Sequence, residues 1–247
     1  MPDLVDLAAL KGDLHTHTNL TDGMASLEEM LAAAAARGYS YYAVTDHAEK
    51  LSMTGMTREK ALAQRAKIAT LQKKFPKMTI LHGTELNIDA TGEVDYDPEF
   101  LAGFDITLAS VHSYFNQSRD EMTKRLITAI ENPYVNIIGH PTGRMIGKRP
   151  PYDFDAEAVF AAAGRTGTAM EANAYPDRLD LRDEHIRWAI GEGATISIDT
   201  DSHAIGHLAG IRYGVAQAQR GWATPANVLN AKTLKQLQAF VAKKRAR

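Results

Sequence analysis

Short apolar runs recur along the chain, and nearly every one of them stops abruptly on histidine, aspartate or glutamate. They predict strands over Leu14–His17, Tyr41–Thr45, Thr79–Leu86, Ile106–Val111, Val135–Gly139, Thr168–Asn173 and Ala194–Thr200. Longer segments of helical period separate them, the pattern of repeated β-α units that close a parallel sheet. Most runs are apolar throughout, as strands covered on both faces must be. The polar residues at their ends are His15 and His17, Asp46 and His47, Glu85, His112, His140, Glu171 with Asn173, and Asp201 with His203. Parallel strands bring their C-terminal ends to one face, so all seven ends converge on one pocket.

The punctuation between the runs agrees. Ser26-Leu27-Glu28-Glu29 is a capping box opening a helix over Leu27–Arg37, and Gly38 follows where a left-handed residue is needed. Ser118-Arg119-Asp120-Glu121 repeats the device. Further helices are expected near Arg58–Phe75, Asp155–Ala163, Asp183–Gly191, Ala204–Arg220 and Leu234–Lys244. Since α/β barrels commonly reach about 250 residues as one unit, residues 1–247 are expected to form a single domain. No stretch approaches the ~18–20 apolar residues of a membrane span, and no basic segment followed by an apolar run opens the chain. A cytoplasmic monomer without membrane contact is the expectation.

The chain has no cysteine, so a metal here must be held by imidazole and carboxylate, a donor set that suits Mn, Zn or Fe. A single buried histidine is more often a hydrogen-bonded core residue than a ligand, but five separate strands ending the same way is a pattern. His15 and His17, at a spacing of two, turn both rings to one side of a strand and can grip one ion. His82, His185 and His207 fall outside the pattern and read as structural. The net charge of −2 gives no global attraction to an anion, so an anionic substrate must be drawn by local charge.

Asp13-Leu14-His15-Thr16-His17-Thr18 with Thr21-Asp22-Gly23, then Thr45-Asp46-His47, Gly83-Thr84-Glu85, Ser110-Val111-His112, Gly139-His140-Pro141 and Asp199-Thr200-Asp201-Ser202-His203, resembles the polymerase and histidinol phosphatase (PHP) family over nearly the whole chain. Gly139–Arg144, Arg149–Tyr152, Glu171-Ala172-Asn173 and Arg178–Leu181 are similar to the branch found at the C-terminus of bacterial and archaeal family X DNA polymerases. The resemblance implies a distorted seven-stranded (β/α)7 TIM-like barrel, its metal site at the C-terminal face of the strands, holding three divalent ions (Mn, Zn or Fe). It implies that His15, His17, Glu85 and Asp201 bind the first ion; that Asp22, His47 and His203 bind the second; and that Glu85 bridges to a third completed by His112 and His140. Asp46 would orient a ligand.

Three ions would turn a pocket of charge −3 from Asp22, Glu85 and Asp201 into one of +3, drawing in a phosphate ester. Metal-assisted phosphoester hydrolysis is the chemistry this suits. Glu85 and Asp201 are the catalytic carboxylates on this reading. Arg144 is a candidate to hold a phosphate oxygen, and Arg178 to contact phosphate or pin Glu171. Arg144, Lys148 and Arg149 in the loop Gly143–Pro151 are candidates to track a nucleic-acid backbone, with Tyr114, Phe115 and Tyr175 stacking on bases. The resemblance implies 3′→5′ exonuclease or 3′-end processing of DNA as the function, with a polymerase domain in cis as partner. The alternatives are a small-molecule phosphomonoesterase of the histidinol phosphatase kind and a non-catalytic, metal-stabilised domain of a polymerase.

Overall fold

The computed structural model describes residues 3–51 and 54–247. Seven parallel strands, β1 (Gly12–Asp13), β2 (Tyr41–Val44), β3 (Thr79–Asn87), β4 (Ile106–Ser110), β5 (Ile137–Ile138), β6 (Ala169–Asn173) and β7 (Thr195–Asp199), pair in sequence order. Helices α1 (Leu27–Ala36), α2 (Arg58–Leu71), α3 (Pro98–Leu101), α4 (Arg119–Glu131), α5 (Ala156–Thr166), α6 (Asp183–Gly191) and α7 (Ile211–Arg220) follow strands β1 to β7 in turn, and α8 (Leu234–Arg245) ends the chain. The expected (β/α)7 barrel is therefore the observed one, nearly closed.

Both capping boxes form: Ser26 with Glu29 starts α1, and Ser118 with Glu121 starts α4. Gly38 has φ +80°, the left-handed turn the end of α1 requires. The strand faces alternate. In β2, Tyr41 and Ala43 point into the barrel beside Leu14, Leu81, Ile106, Leu108, Ile137 and Ala169, while Tyr42 and Val44 pack outward on α1 and α2. Leu229, Leu237 and Val241 join the inner cluster, so the C-terminal segment plugs the barrel from below. Burying each such side chain contributes roughly 1.5–3 kcal/mol.

Two strands depart most from the sequence expectation: β1 lies wholly before the expected Leu14–His17, and β5 keeps two residues of the expected Val135–Gly139. The β1 ladder ends at Asp13, because beyond it the backbone bonds to side chains: the Leu14 N–H donates to Asp199 Oδ1 and the Thr16 N–H to Thr45 Oγ1. In β5 only Ile137 and Ile138 are laddered. The single bridge Thr16–Ser202 joins the first and last strand ends, and side chains stitch the rest of that seam. Asn230 is buried in it, accepting from the Ile198 N–H and donating to the carbonyls of Gly12 and Ile198 at 2.9 and 2.5 Å. Asp13 accepts from the N–H and hydroxyl of Thr200. Among the described residues no helix is long and apolar enough to cross a membrane.

Candidate metal centre

The histidine and carboxylate ends of the strands meet where the apolar filling of the barrel stops. Glu85, near the end of β3 and only 1% exposed, stands at the middle and divides its two oxygens. Oε2 lies 3.3, 3.5 and 2.9 Å from ring nitrogens of His15, His17 and His47; Oε1 lies 3.2 and 3.0 Å from Nε2 of His112 and His140. Asp201 Oδ1 is 3.5 Å from His15 Nε2 and 3.2 Å from His17 Nε2. Asp22 Oδ2 is 3.2 Å from His47 Nε2 and 3.3 Å from His203 Nε2. Donors that share one ion at ~2.1 Å in tetrahedral or octahedral geometry stand about 3.0–3.4 Å apart, which is the spacing found here. His15, His17 and Glu85 form one group able to hold an ion; His17, Asp22, His47 and His203 form another; His47, Glu85 and His112 form a third.

Several of these rings have one nitrogen pinned and the other free. His15 Nδ1 donates to Glu171 Oε1 at 2.7 Å, His203 Nδ1 to the Asp201 carbonyl at 2.8 Å, and His112 Nδ1 to Asn87 Oδ1 at 2.7 Å, the Asn87 amide itself being committed to Asp95. A proton fixed on Nδ1 leaves the Nε2 lone pair facing the carboxylates, the state a ligand needs. His15 Nε2, both nitrogens of His17, His47 Nδ1, His140 Nδ1 and Glu85 Oε2 are buried without a hydrogen-bond partner among the described residues. Buried polar atoms left so are costly, and a cation among them removes the cost.

The carboxylates of the centre draw positive charge, which in the absence of a cation is met by protons on His15 and His47. Burial, reinforced by His47, pushes the His17 imidazole down to about 3; burial and Arg178 do the same to His140. Both are neutral at physiological pH. His47 rises to about 10, burial opposing its charge but Glu85 and Asp22 outweighing it. Burial likewise opposes ionisation of Glu85 and Asp201, yet His15 and its neighbours hold both well below the usual carboxylate range. The backbone bends sharply at two of these positions. His140 and Asp201 take positive φ, +28° and +51°, a conformation that costs energy outside glycine. A Cβ at Gly139 would lie 2.3 Å from Ser110 Oγ, so glycine lets the end of β5 pass close to β4. The centre opens on one side, through Asp22, His203 and His112, whose side chains are 33%, 27% and 16% exposed.

All nine residues proposed from the sequence as ligands are thus brought together. Asp46 bears on a ligand as expected, through Asp22 rather than a ring: it accepts from Thr18 N–H, Thr18 Oγ1, Thr21 Oγ1 and Gln64 Nε2, anchoring the loop that carries Asp22. Several other expectations change. Glu171 orients a ring directly, that of His15, and also accepts from the His140 N–H at 2.5 Å. Its place at a strand end was the signal for it. Arg178 does not pin Glu171: its Nε meets Asp201 Oδ2 at 3.2 Å, and its Nη1 is buried and unpartnered among the described residues. Arg144 spends Nε on the Arg178 carbonyl and Nη2 on the Leu179 carbonyl, so it holds the loop after β6.

Lys148 pairs with Asp177, and Arg149 donates to the Gly143 carbonyl while lying 3.7 Å over Phe115. Both of these cations of the loop have partners within the protein, although Lys148 stays 65% exposed. His82 stacks on Phe104 and His185 packs beside Phe154 and Phe160, both structural as expected. His207 adjoins the centre instead, its Nδ1 accepting from the His203 N–H at 3.3 Å.

A family model described as "PHP domain" matches residues 13–174. The chain belongs to the PHP family. With the family goes metal-dependent phosphoester hydrolysis as the class of reaction, and the centre carries the donors for it. This PHP domain is 44% identical over 97% of its length to "DNA polymerase/3'-5' exonuclease PolX" of Bacillus subtilis (strain 168), of which it spans 42%. It is 32% identical over 80% of its length to "Probable phosphatase Shewana3_2794" of Shewanella sp. (strain ANA-3), covering 78% of that protein. Its fold is similar to that of the histidinol phosphate phosphatase of Lactococcus lactis, with a TM-score of 0.62 and 20% identity over 84% of this chain and 93% of the other.

Proposed function

We propose that this PHP domain hydrolyses phosphodiester bonds at the 3′ end of DNA, with three divalent ions held by His15, His17, Asp22, His47, Glu85, His112, His140, Asp201 and His203. The observation that carries the reading is the 44% identity to PolX over 97% of the chain, joined to seven clustered donors with His140 and Asp201 beside them. Glu85 would bridge, its oxygens facing different histidines. Divalent ions in such a site, Mn, Zn or Fe by the donor set, supply Lewis acidity and lower the pKa of water for attack on phosphorus. The protein's own part is to hold the lone pairs in place: Glu171, Asn87 and the Asp201 carbonyl keep the protons of His15, His112 and His203 on Nδ1. Arg178 orients Asp201 through Nε and has Nη1 free for a phosphate oxygen. Arg144 sets the height of that loop. A polymerase domain in cis is the partner this reading implies, and the 247 residues act as one catalytic unit, monomeric and cytoplasmic.

A small-phosphomonoester reading has its own support in the 32% identity to a probable phosphatase over most of both chains. One experiment separates the two. The purified protein is analysed for metals, then given a 3′-recessed oligonucleotide and a small phosphomonoester, each with Mn. About three metals per chain and shortening from the 3′ end is the expected result. Turnover of the monoester alone would replace the DNA reading by the phosphatase one, and metal content without either activity would leave a structural domain.

A further inference from the structure

The loops that follow β6 and β7 part beside the metal centre and leave a cavity of about 300 Å³, at the small end of the range for ligand pockets. Tyr175, His207, Arg212 and Tyr213 line it, together with Gly206 and Asp177. Hydrogen bonds within the protein link its wall to the centre. The His203 N–H donates to His207; the Tyr175 N–H donates to Asn173 Oδ1, and Asn173 Nδ2 donates to Asp201 Oδ2 at 3.2 Å. A group seated here would lie against residues that are bonded to Asp201 and His203 or to their neighbours.

The lining has the chemistry of a stacking surface. Tyr175 and His207 meet edge to face, 5.3 Å between centroids. Tyr213 is 41% exposed, with the Arg212 guanidinium 4.7 Å over its ring and bonded to its hydroxyl. Such π faces and a guanidinium bind flat heterocycles. A second phosphate fits poorly, since the Asp177 carboxylate is part of the wall. Among the three aromatic residues suggested by the sequence for stacking, Tyr175 is the one in a cavity: Phe115 is covered by Arg149, and Tyr114 projects into solvent.

The geometry points to this cavity as the seat of the heterocyclic base of the nucleotide whose phosphate is cleaved, a specificity element that rests on the DNA reading above. The test is calorimetric titration of the Mn-loaded protein with dAMP and with 2-deoxyribose 5-phosphate, phosphate release being followed so that turnover is kept out of the isotherm. The ratio of the two Kd values reads the base alone. A stacked base predicts dAMP tighter by about tenfold or more. Tyr175→Ala should bring the ratio close to one. So should Gly206→Leu, a second variant whose new Cβ meets nothing within 4 Å and whose side chain fills the recess. A wild-type ratio near one overturns the proposal, as does a ratio that survives both substitutions. The 3′-recessed oligonucleotide is run in parallel: shortening with a flat ratio removes the base seat and leaves the exonuclease reading, whereas a high ratio without shortening removes the exonuclease reading and leaves a nucleotide-binding seat.

Discussion

Replacing Glu171 by Gln tests whether the metal centre is held from behind. Glu171 is fully buried, and its two oxygens accept from His15 Nδ1–H at 2.7 Å and from the His140 N–H at 2.5 Å. Asn173 Nδ2 also donates to Oε2, at 3.1 Å, and since all three partners are donors, glutamine, with one oxygen and one NH2, cannot satisfy both sides. If its oxygen stays on the backbone N–H, its amide faces His15 Nδ1 and drives the proton to Nε2, where the lone pair belongs. If the amide turns the other way, it opposes the His140 N–H and pushes a ligand that already sits at positive φ. Loss of such an orienting partner costs about 10- to 100-fold in metal affinity, about 1.4–2.7 kcal/mol. The assay is Mn titration against a competing chelator, with thermal unfolding of the metal-free protein alongside. A Kd within threefold of wild type would refute the reasoning, because it would mean that the tautomer of His15 does not matter to the centre.

The remaining expectations are simpler. Glu85→Gln removes the proposed bridge and should lower metal content and rate together; a rate within threefold of wild type, about 0.7 kcal/mol, rules the bridge out. Arg178→Ala should lower kcat by about ten- to a thousandfold with metal content kept, whereas Arg144→Ala should lower kcat less and also reduce Tm, since it frees two backbone carbonyls; equal effects on kcat and Tm from the two would contradict the division of labour. Asn230→Ala leaves buried groups of Gly12 and Ile198 unpaired across the barrel seam and should cost about 3 kcal/mol in urea unfolding; a loss under 1 kcal/mol means the seam closes without it. His82 is pushed down to about 4, by burial first and Arg65 second. The unfolded chain therefore takes up a proton there below pH 6.5 that the folded chain refuses down to about 4, so acid removes about 3 kcal/mol across that window. His82→Gln should flatten the wild-type decline in stability between pH 7 and 5, and parallel curves would show that His82 does not contribute.

The order of the apolar runs and the residue at the end of each were enough to place seven strands, their common direction and eight of the nine residues that meet at the centre, because a parallel barrel converts sequence position directly into position on one face; Asp22, in the loop after β1, was given by the family resemblance alone. Side-chain capping made the starts of α1 and α4 equally legible, since a capping box is a contact between residues three apart. The roles of Arg144 and Arg149 were not legible. Each depends on which carbonyl or ring lies opposite across the fold, and a guanidinium beside a pocket reads the same in sequence whether it faces a ligand or the backbone of another loop.

The shortness of β1 and the use of Asn230 to close the seam were likewise decided in three dimensions, by side chains more than 180 residues apart in the chain. The chain's linear pattern thus determined which donors meet. Only the tertiary structure decided which nitrogen of each ring is free, which arginine is committed, and where a base-sized recess opens beside His203. Those depend on distances between segments, which local spacing does not encode.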